Sequence, residues 1–258
     1  MGRKTVHFRK KSQAEFARRF TDLCSTKSSW EVWADFITMS ALAISNAFDQ
    51  QGKIHDERER EYLSIINRYP KKAQQIFPEL LGKLVEALEE DPEQDFLGEM
   101  FMALELGSHW KGQFFTPYSI SQVMAKLTLD DRERQIQERG WTRINDPCCG
   151  AGALLIAARN SMVRRGLGPR QVLYVAQDID RTAALMCYLQ LSLLGCAGYV
   201  VVGDTLTQPF VSPLGSPLLI APTDGQEVWL MPALYDEVWV YRIQFEKLKL
   251  LMTPKEEV

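Results

Sequence analysis

Residues 146–152 read Asp-Pro-Cys-Cys-Gly-Ala-Gly and run straight into the apolar stretch Ala153–Ala158. An acid, two adjacent thiols and two glycines admit three chemistries: a metal site, a redox pair, or a loop that cradles a ligand. The five cysteines form no C-x-x-C pair and only three histidines are scattered along the chain, so zinc spacing is absent. Adjacent cysteines seldom bond to each other, and nothing basic beside Cys148 and Cys149 would lower a thiol pKa, which leaves them as small fillers. The ligand loop remains. Gly150 and Gly152 let the backbone turn tightly and come close to a ligand, and the helix that follows offers unpaired N–H groups to something polar or anionic.

Two further acids fall where such a loop would need them. Asp178 closes the apolar run 171–178, about 30 residues past the first glycine, where doubly wound folds place a carboxylate that accepts from ribose hydroxyls. Asp204, in Gly-Asp-Thr-Leu after the run 198–202, is placed to accept from an adenine amino group. Each acid alone also reads as a strand-end or helix-cap carboxylate. Neither G-x-G-x-x-G nor G-K-[ST] occurs, so a nucleoside without phosphates fits better than a dinucleotide or nucleoside triphosphate. Upstream, Gly-Gln-Phe-Phe-Thr-Pro at 112–117 presents Thr116 as the cap of a helix with Pro117 at its first position, next to Phe114 and Phe115.

These residues need elements to hold them. Runs 142–146, 171–178 and 198–205 read as strands, with helices near 152–165 and 180–194, and repeated strand–helix units imply a parallel sheet with ligand at the strand carboxyl ends. The fold class is therefore α/β with a Rossmann-like sheet. From Ser28 to Leu106 the apolar period is helical, with Ser28 or Ser29 as an N-cap and Trp30, Trp33, Phe36 and Ile37 as a core stripe. The expected organisation is a helical domain over 1–111 and a cofactor-binding domain over 112–258. At 258 residues with 46% hydrophobic side chains, the chain can bury such a core. No apolar run reaches the length of a membrane span and the N-terminus lacks a signal-peptide segment, so a cytoplasmic location with no membrane association is expected. A net charge of −3 argues against a generally basic nucleic-acid binder, but residues 1–19 carry seven basic side chains against Glu15. That arm reads either as a solvated terminus or as a contact to phosphates.

Gly-Gln-Phe-Phe-Thr-Pro, Asp146–Ala158, Ala176–Gly195 and Gly203–Leu206, in this order and spacing, resemble the N6-adenine DNA methyltransferases, with the modification subunit of type I restriction systems most similar. The resemblance covers roughly 97–206, and the helical half before it is also similar to that family's helical domain. It implies S-adenosylmethionine as cofactor, no metal, and DNA as substrate. It puts Phe115, Thr116 and Pro117 near the methionine end, and Asp146, Pro147, Gly150 and Gly152 around the amino-acid part. Asp178 and Ile179 fall to the ribose side, with Asp204 and Thr205 near the adenine.

The resemblance stops at the acceptor. The family follows with Asn or Asp, Pro, Pro and an aromatic residue after its fourth strand, where two oxygens take the amine hydrogens and the ring stacks on the flipped base. The nearest segment here is Glu227–Met231 as a fourth strand followed by Pro232-Ala-Leu-Tyr235. Met231 cannot replace an acceptor oxygen, Pro232 could leave one carbonyl free, and Tyr235 comes late. A last amphipathic helix over 236–252 then closes a domain that looks truncated at its C-terminal end. Three functions follow: a DNA adenine methyltransferase whose target recognition comes from a separate subunit and whose catalytic motif is divergent or borrowed, a non-catalytic cofactor-binding partner or regulator, and, more weakly, a methyltransferase acting on RNA or protein. The isolated chain is expected to be weakly active or inactive.

Overall fold

The computed structural model describes residues 8, 10–24, 27–106, 115–128, 132–210, 212 and 215–252. Six helices come first: α1 (Lys11–Leu23), α2 (Ser29–Phe48), α3 (Lys53–Ile66), α4 (Lys71–Gln74), α5 (Ile76–Glu90) and α6 (Phe96–Ala103). The Ser28 hydroxyl accepts from Glu31 N–H at 3.2 Å, so the expected cap of α2 forms. Trp33, Phe36 and Ile37 are fully buried, and Phe16 meets Trp33, Phe36 and Phe96 edge-on at 5.4–6.2 Å.

The expected basic arm is a docked helix from Lys11 onward. Phe16 and Phe20 of α1 are core residues, Lys10 pairs with Asp91 at 2.7 Å, and Arg19 pairs with Asp22 and Glu79. Acids of the helical layer thus pair with Lys10 and Arg19. Residues 1–7 and 9 lie outside the described residues.

The second half runs α7 (Tyr118–Thr128), α8 (Arg132–Arg139), β1 (Thr142–Asp146), α9 (Ala153–Arg164), β2 (Val172–Asp178), α10 (Arg181–Leu193), β3 (Ala197–Val202), β4 (Glu227–Leu230), a 3-10 turn over Pro232–Tyr235, and α11 (Glu237–Met252). The sheet order is β1-β2-β3-β4, with β1, β2 and β3 parallel. Gly198 permits this register, since a Cβ there would sit 1.8 Å from the Tyr174 carbonyl oxygen. One sheet face carries Ile144, Tyr174, Ala176 and Val200 into a single core that continues through α9 and α10 to the aromatic cluster of the helical layer. The other face carries Leu173, Val175, Tyr199 and Val201 against Leu218, Leu234 and Trp239. Among the described residues no helix is long and apolar enough to cross a membrane.

One expectation fails. The strand expected at Glu227–Met231 forms one residue shorter and runs antiparallel to β3, pairing Val202 with Glu227 and Tyr199 with Leu230. A parallel return needs a crossover to the far end of the sheet, usually a helix. Among the described residues of 203–226 no α-helix supplies one, so the chain re-enters beside the end at which β3 left. Arg58 of α3 fixes the result, donating to the Val228 carbonyl at 2.9 Å and lying 4.2 Å from the Trp229 ring, which also meets Tyr188 at 5.5 Å and Arg181 at 5.7 Å.

Candidate cofactor site

A cleft of about 260 Å³ opens at the carboxyl end of β1, lined among others by Phe115, Thr116, Ser121, Asp146, Cys148 and Gly150. Its floor is the loop 147–152. Gly150 has φ +53° and Gly152 φ +98°, the left-handed region where a side chain is strained. A Cβ on Gly150 would meet the Phe115 ring at 3.1 Å, and one on Gly152 would meet the Cys187 sulfur at 3.0 Å. Both glycines are thus required twice, by conformation and by the closeness of what lies beside them.

Asp178 ties that loop to the sheet. It is the last residue of β2, its Oδ2 accepts from Gly150 N–H at 2.8 Å, and its Oδ1 accepts from Asp180 N–H at 2.9 Å. Each oxygen keeps a further lone pair. Asp146 ends β1, is buried, and accepts from Cys148 N–H at 3.1 Å; burial foremost, with Asp178 nearby, raises its carboxyl above the ordinary range. Cys149 is buried beside Cys187, and this contact and its burial hold its thiol well above the usual value, while Cys148 is exposed. The filler role fits the buried thiol.

The wall is α7. Its first intrahelical bonds, from Ile120 and Ser121 N–H, go to the Pro117 carbonyl at 2.9 and 3.3 Å, so Pro117 rather than Thr116 holds the capping position and Thr116 is left exposed at the cleft. Helix boundaries read from a T-P pair are uncertain by a residue, because Pro fits either position. Tyr118 anchors α7 by accepting from Asn160 Nδ2 at 2.9 Å, and Asn160 also donates to the Pro92 carbonyl at 2.8 Å. Gly112, Gln113 and Phe114 lie outside the described residues.

Three contributors carried no motif in the sequence. Asp95 caps α6, accepting from Gly98 N–H at 2.9 Å and from Gln190 at 2.7 Å; burial pushes its carboxyl up to about 6. Gln190 also donates to the Ala151 carbonyl at 2.9 Å and accepts from Leu97 N–H, so it couples the helical layer to the glycine loop. Ser121 is fully buried at the cleft, and among the described residues its hydroxyl has no hydrogen-bond partner. A buried hydroxyl left unmatched costs free energy, and a polar group of a ligand in the cleft would match it. The signals were the small residues Ser121 and Ala125 one turn apart on the buried face of α7, and the Asp-x-x-Gly spacing of Asp95 and Gly98.

The third loop lies apart from the cleft. Asp204 sits two residues past β3, caps its own turn through Leu206 N–H and the Thr207 hydroxyl, and is held below the usual carboxylate range chiefly by the Leu206 N–H. Thr205 donates to the Pro147 carbonyl, which draws this loop against the first. Ile179 is exposed on the same end.

Pro232 and Tyr235 are not brought to the cleft. Met231 N–H donates to the Gly198 carbonyl at 2.9 Å, which puts the start of the 3-10 turn at the amino end of β3, about five residues or roughly 17 Å from the carboxyl ends. Met231 is fully buried and Tyr235 packs on Phe48 at 6.2 Å. The antiparallel β4 causes this: the end of an antiparallel strand faces away from the ends of its parallel neighbours.

The family model N-6 DNA Methylase matches residues 95–222. Among solved structures, a protein described as a class I S-adenosylmethionine-dependent methyltransferase from Listeria monocytogenes is 19% identical, with TM-score 0.44, covering 79% of this chain and 56% of that one. The type I restriction-modification system methyltransferase subunit from Streptococcus thermophilus is 14% identical, with TM-score 0.39, covering 79% and 59%. The chain thus spans less than two thirds of either. No curated protein matches it.

Proposed function

Residues 95–222 belong to the N-6 DNA methylase family, and from that premise we propose that the chain is the cofactor-binding part of an S-adenosylmethionine-dependent DNA adenine-N6 methyltransferase. The observation that carries this reading is the cleft at the carboxyl end of β1, where the orphaned Ser121 hydroxyl and the Gly150 cradle meet Phe115, Thr116 and Asp146. S-adenosylmethionine is the family's cofactor, and these residues fit it. Its amino-acid part would be held by Asp146, the 147–152 loop, Thr116 and Ser121. Its ribose would reach Asp178, and its adenine the surface of Ile179, Asp204 and Thr205. When bound, the cofactor supplies an electrophilic methyl group on a sulfonium.

The chain's own residues bind and orient. Asp178 holds Gly150 in place, and Gln190 fixes the Ala151 carbonyl. Residues 1–111 then act as the helical domain that backs the cofactor domain 112–258. DNA is the substrate in this reading, a separate specificity or catalytic subunit supplies base recognition, and the working location is cytoplasmic. A second reading, a non-catalytic cofactor-binding partner, is favoured by one observation: Pro232 and Tyr235 sit at the opposite end of the sheet from the cleft.

Isothermal titration with S-adenosylmethionine and its demethylated product tests the first claim. Asp178→Ala should weaken binding by about 1 to 3 kcal/mol, since a charged acceptor and the anchor of Gly150 go together. Equal affinity in the two proteins would remove Asp178 from the site, and tighter binding of NAD would remove the methylase reading. Radiolabelled methyl transfer to DNA, alone and with a co-purified subunit, separates the two readings.

A further inference from the structure

β1 is the edge strand of the sheet among the described residues, with α8 beside it, and a line of arginines runs along it. At the amino end of β1, Arg139 lies 4.5 Å from the Trp141 ring and Arg242 4.6 Å from the Trp239 ring, while the two indoles meet edge-on at 5.8 Å. Arg139, Trp141 and Arg242 help wall a cleft of about 400 Å³. Arg143 follows on β1 with an exposed side chain, and Asn145, two residues further on the same face, is exposed as well. Asp146 and the cofactor cleft come next. From Thr142 to Asp146 the strand covers about 13 Å, the rise of about four phosphates on one strand of a duplex.

The Arg139 and Arg242 guanidinium groups are fixed by neutral acceptors. Arg139 donates to the Trp141 carbonyl at 2.8 Å and to Gln135 at 3.0 Å, and Arg242 donates to the carbonyls of Arg170 and Gly140. Arg132 donates to the Arg143 carbonyl at 2.9 Å. Among the described residues none of Arg139, Arg143 and Arg242 forms an ion pair. The acids close by are engaged: Glu138 with Arg134, Asp236 with Arg170 and Glu246 with Lys249. Each of the three arginines keeps unused N–H donors in the planar fork that suits a phosphodiester. This contrasts with Lys10 and Arg19, whose charge is met by carboxylates of the helical layer.

We propose that Arg139, Arg143 and Arg242 form a sequence-independent phosphate track that guides a DNA backbone along the β1 edge toward the cofactor cleft. The choice of DNA rests on the function proposed above; the arginine geometry does not. Fluorescence anisotropy of the full chain with a labelled duplex, titrated with salt, tests it. Each lost phosphate contact should flatten the slope of log K against log salt by about 0.9, so Arg143→Ala should lower it by about 0.9 and the triple alanine variant by about 2.7, with affinity down about tenfold or more. The pair Arg139→Lys with Arg242→Lys keeps the charge and should keep the slope. Affinity for S-adenosylmethionine should stay unchanged throughout. An unchanged slope in Arg143→Ala and in the triple variant overturns the proposal, as does a wild-type chain that binds no duplex, the outcome expected if an acidic protein surface is the true occupant. Because Arg143 is exposed, its variant decides alone if the triple variant fails to fold. A slope that falls in a chain with no affinity for the cofactor would uphold the track and overturn the methylase reading.

Discussion

The two ends of the sheet, built from the same strands, have opposite characters. At the carboxyl end of β1 and β2, side chains and backbone are bent around a space: two glycines in the left-handed region, a carboxylate spent on holding one of them, and a buried hydroxyl with nothing to bond. At the amino end of β3, the 3-10 turn and α11 close over the core, with Met231, Leu234 and Trp239 buried and the Trp239 indole N–H satisfied by the Pro169 carbonyl at 2.9 Å. Among the described residues the Ser121 hydroxyl at the cleft is unmatched, whereas the Trp239 indole at the other end is matched. The contrast puts the donor half of the chemistry at one end and packing at the other.

The strongest way to separate the ends is to loosen β4. Trp229 is buried and flanked by two arginines, so Trp229→Ala should cost about 3 to 5 kcal/mol in chemical denaturation, through the cavity and the lost support of β4. Below its melting point the variant should still bind cofactor as the wild type does. Coupled loss of both would mean that the ends are not independent.

The carboxyl end carries a pH signature. Asp95 is fully buried and burial lifts its carboxyl from about 3.8 to about 6, so the folded chain holds this proton better than the unfolded one. Its contribution to stability is therefore present below about pH 3.8 and is lost as pH rises through about 6, a difference of about 3 kcal/mol. Denaturation midpoints compared at several pH values should show this loss in the wild type and not in Asp95→Asn. Parallel profiles would place the Asp95 carboxyl in a wetter setting.

Ser121 gives a smaller and sharper test. Removing its hydroxyl deletes a buried group that has no partner, so Ser121→Ala should leave the melting temperature unchanged or slightly higher. Cofactor affinity should fall about tenfold, near 1.4 kcal/mol. Unchanged affinity would make Ser121 a packing residue. Least of all should happen at Tyr235, which packs on Phe48 away from the cleft: Tyr235→Ala should leave cofactor affinity and any methyl transfer as they were. Loss of transfer there would reinstate the segment as a divergent acceptor motif.

Much of this was legible in the chain because the signals were local. β1 matches its expected span, β2 and β3 lie within a residue of theirs at the amino end, and the glycine loop declared itself by composition. Asp146 and Asp178 do end their strands, whereas Asp204 falls two residues beyond and caps its own turn. The direction of β4 was not legible, since apolar alternation fixes that a strand forms and says nothing of which end of its neighbour it joins. Nor were the partners of Asp95 and Gln190, whose roles depend on contacts between segments up to 95 residues apart. The partners of Lys10 and Arg19 were hidden for the same reason: Asp91 and Glu79 lie far along the chain.

The central claim is that the cofactor occupies the carboxyl end of the sheet. It is tested most directly by irradiating the chain with S-adenosylmethionine carrying a radiolabelled methyl group and mapping the labelled peptides. Label is expected in the peptides holding Phe115–Met124 and Asp146–Leu154, and should be competed away by the demethylated product. Label concentrated in the peptide spanning Val228–Tyr241, at the opposite end, would contradict it.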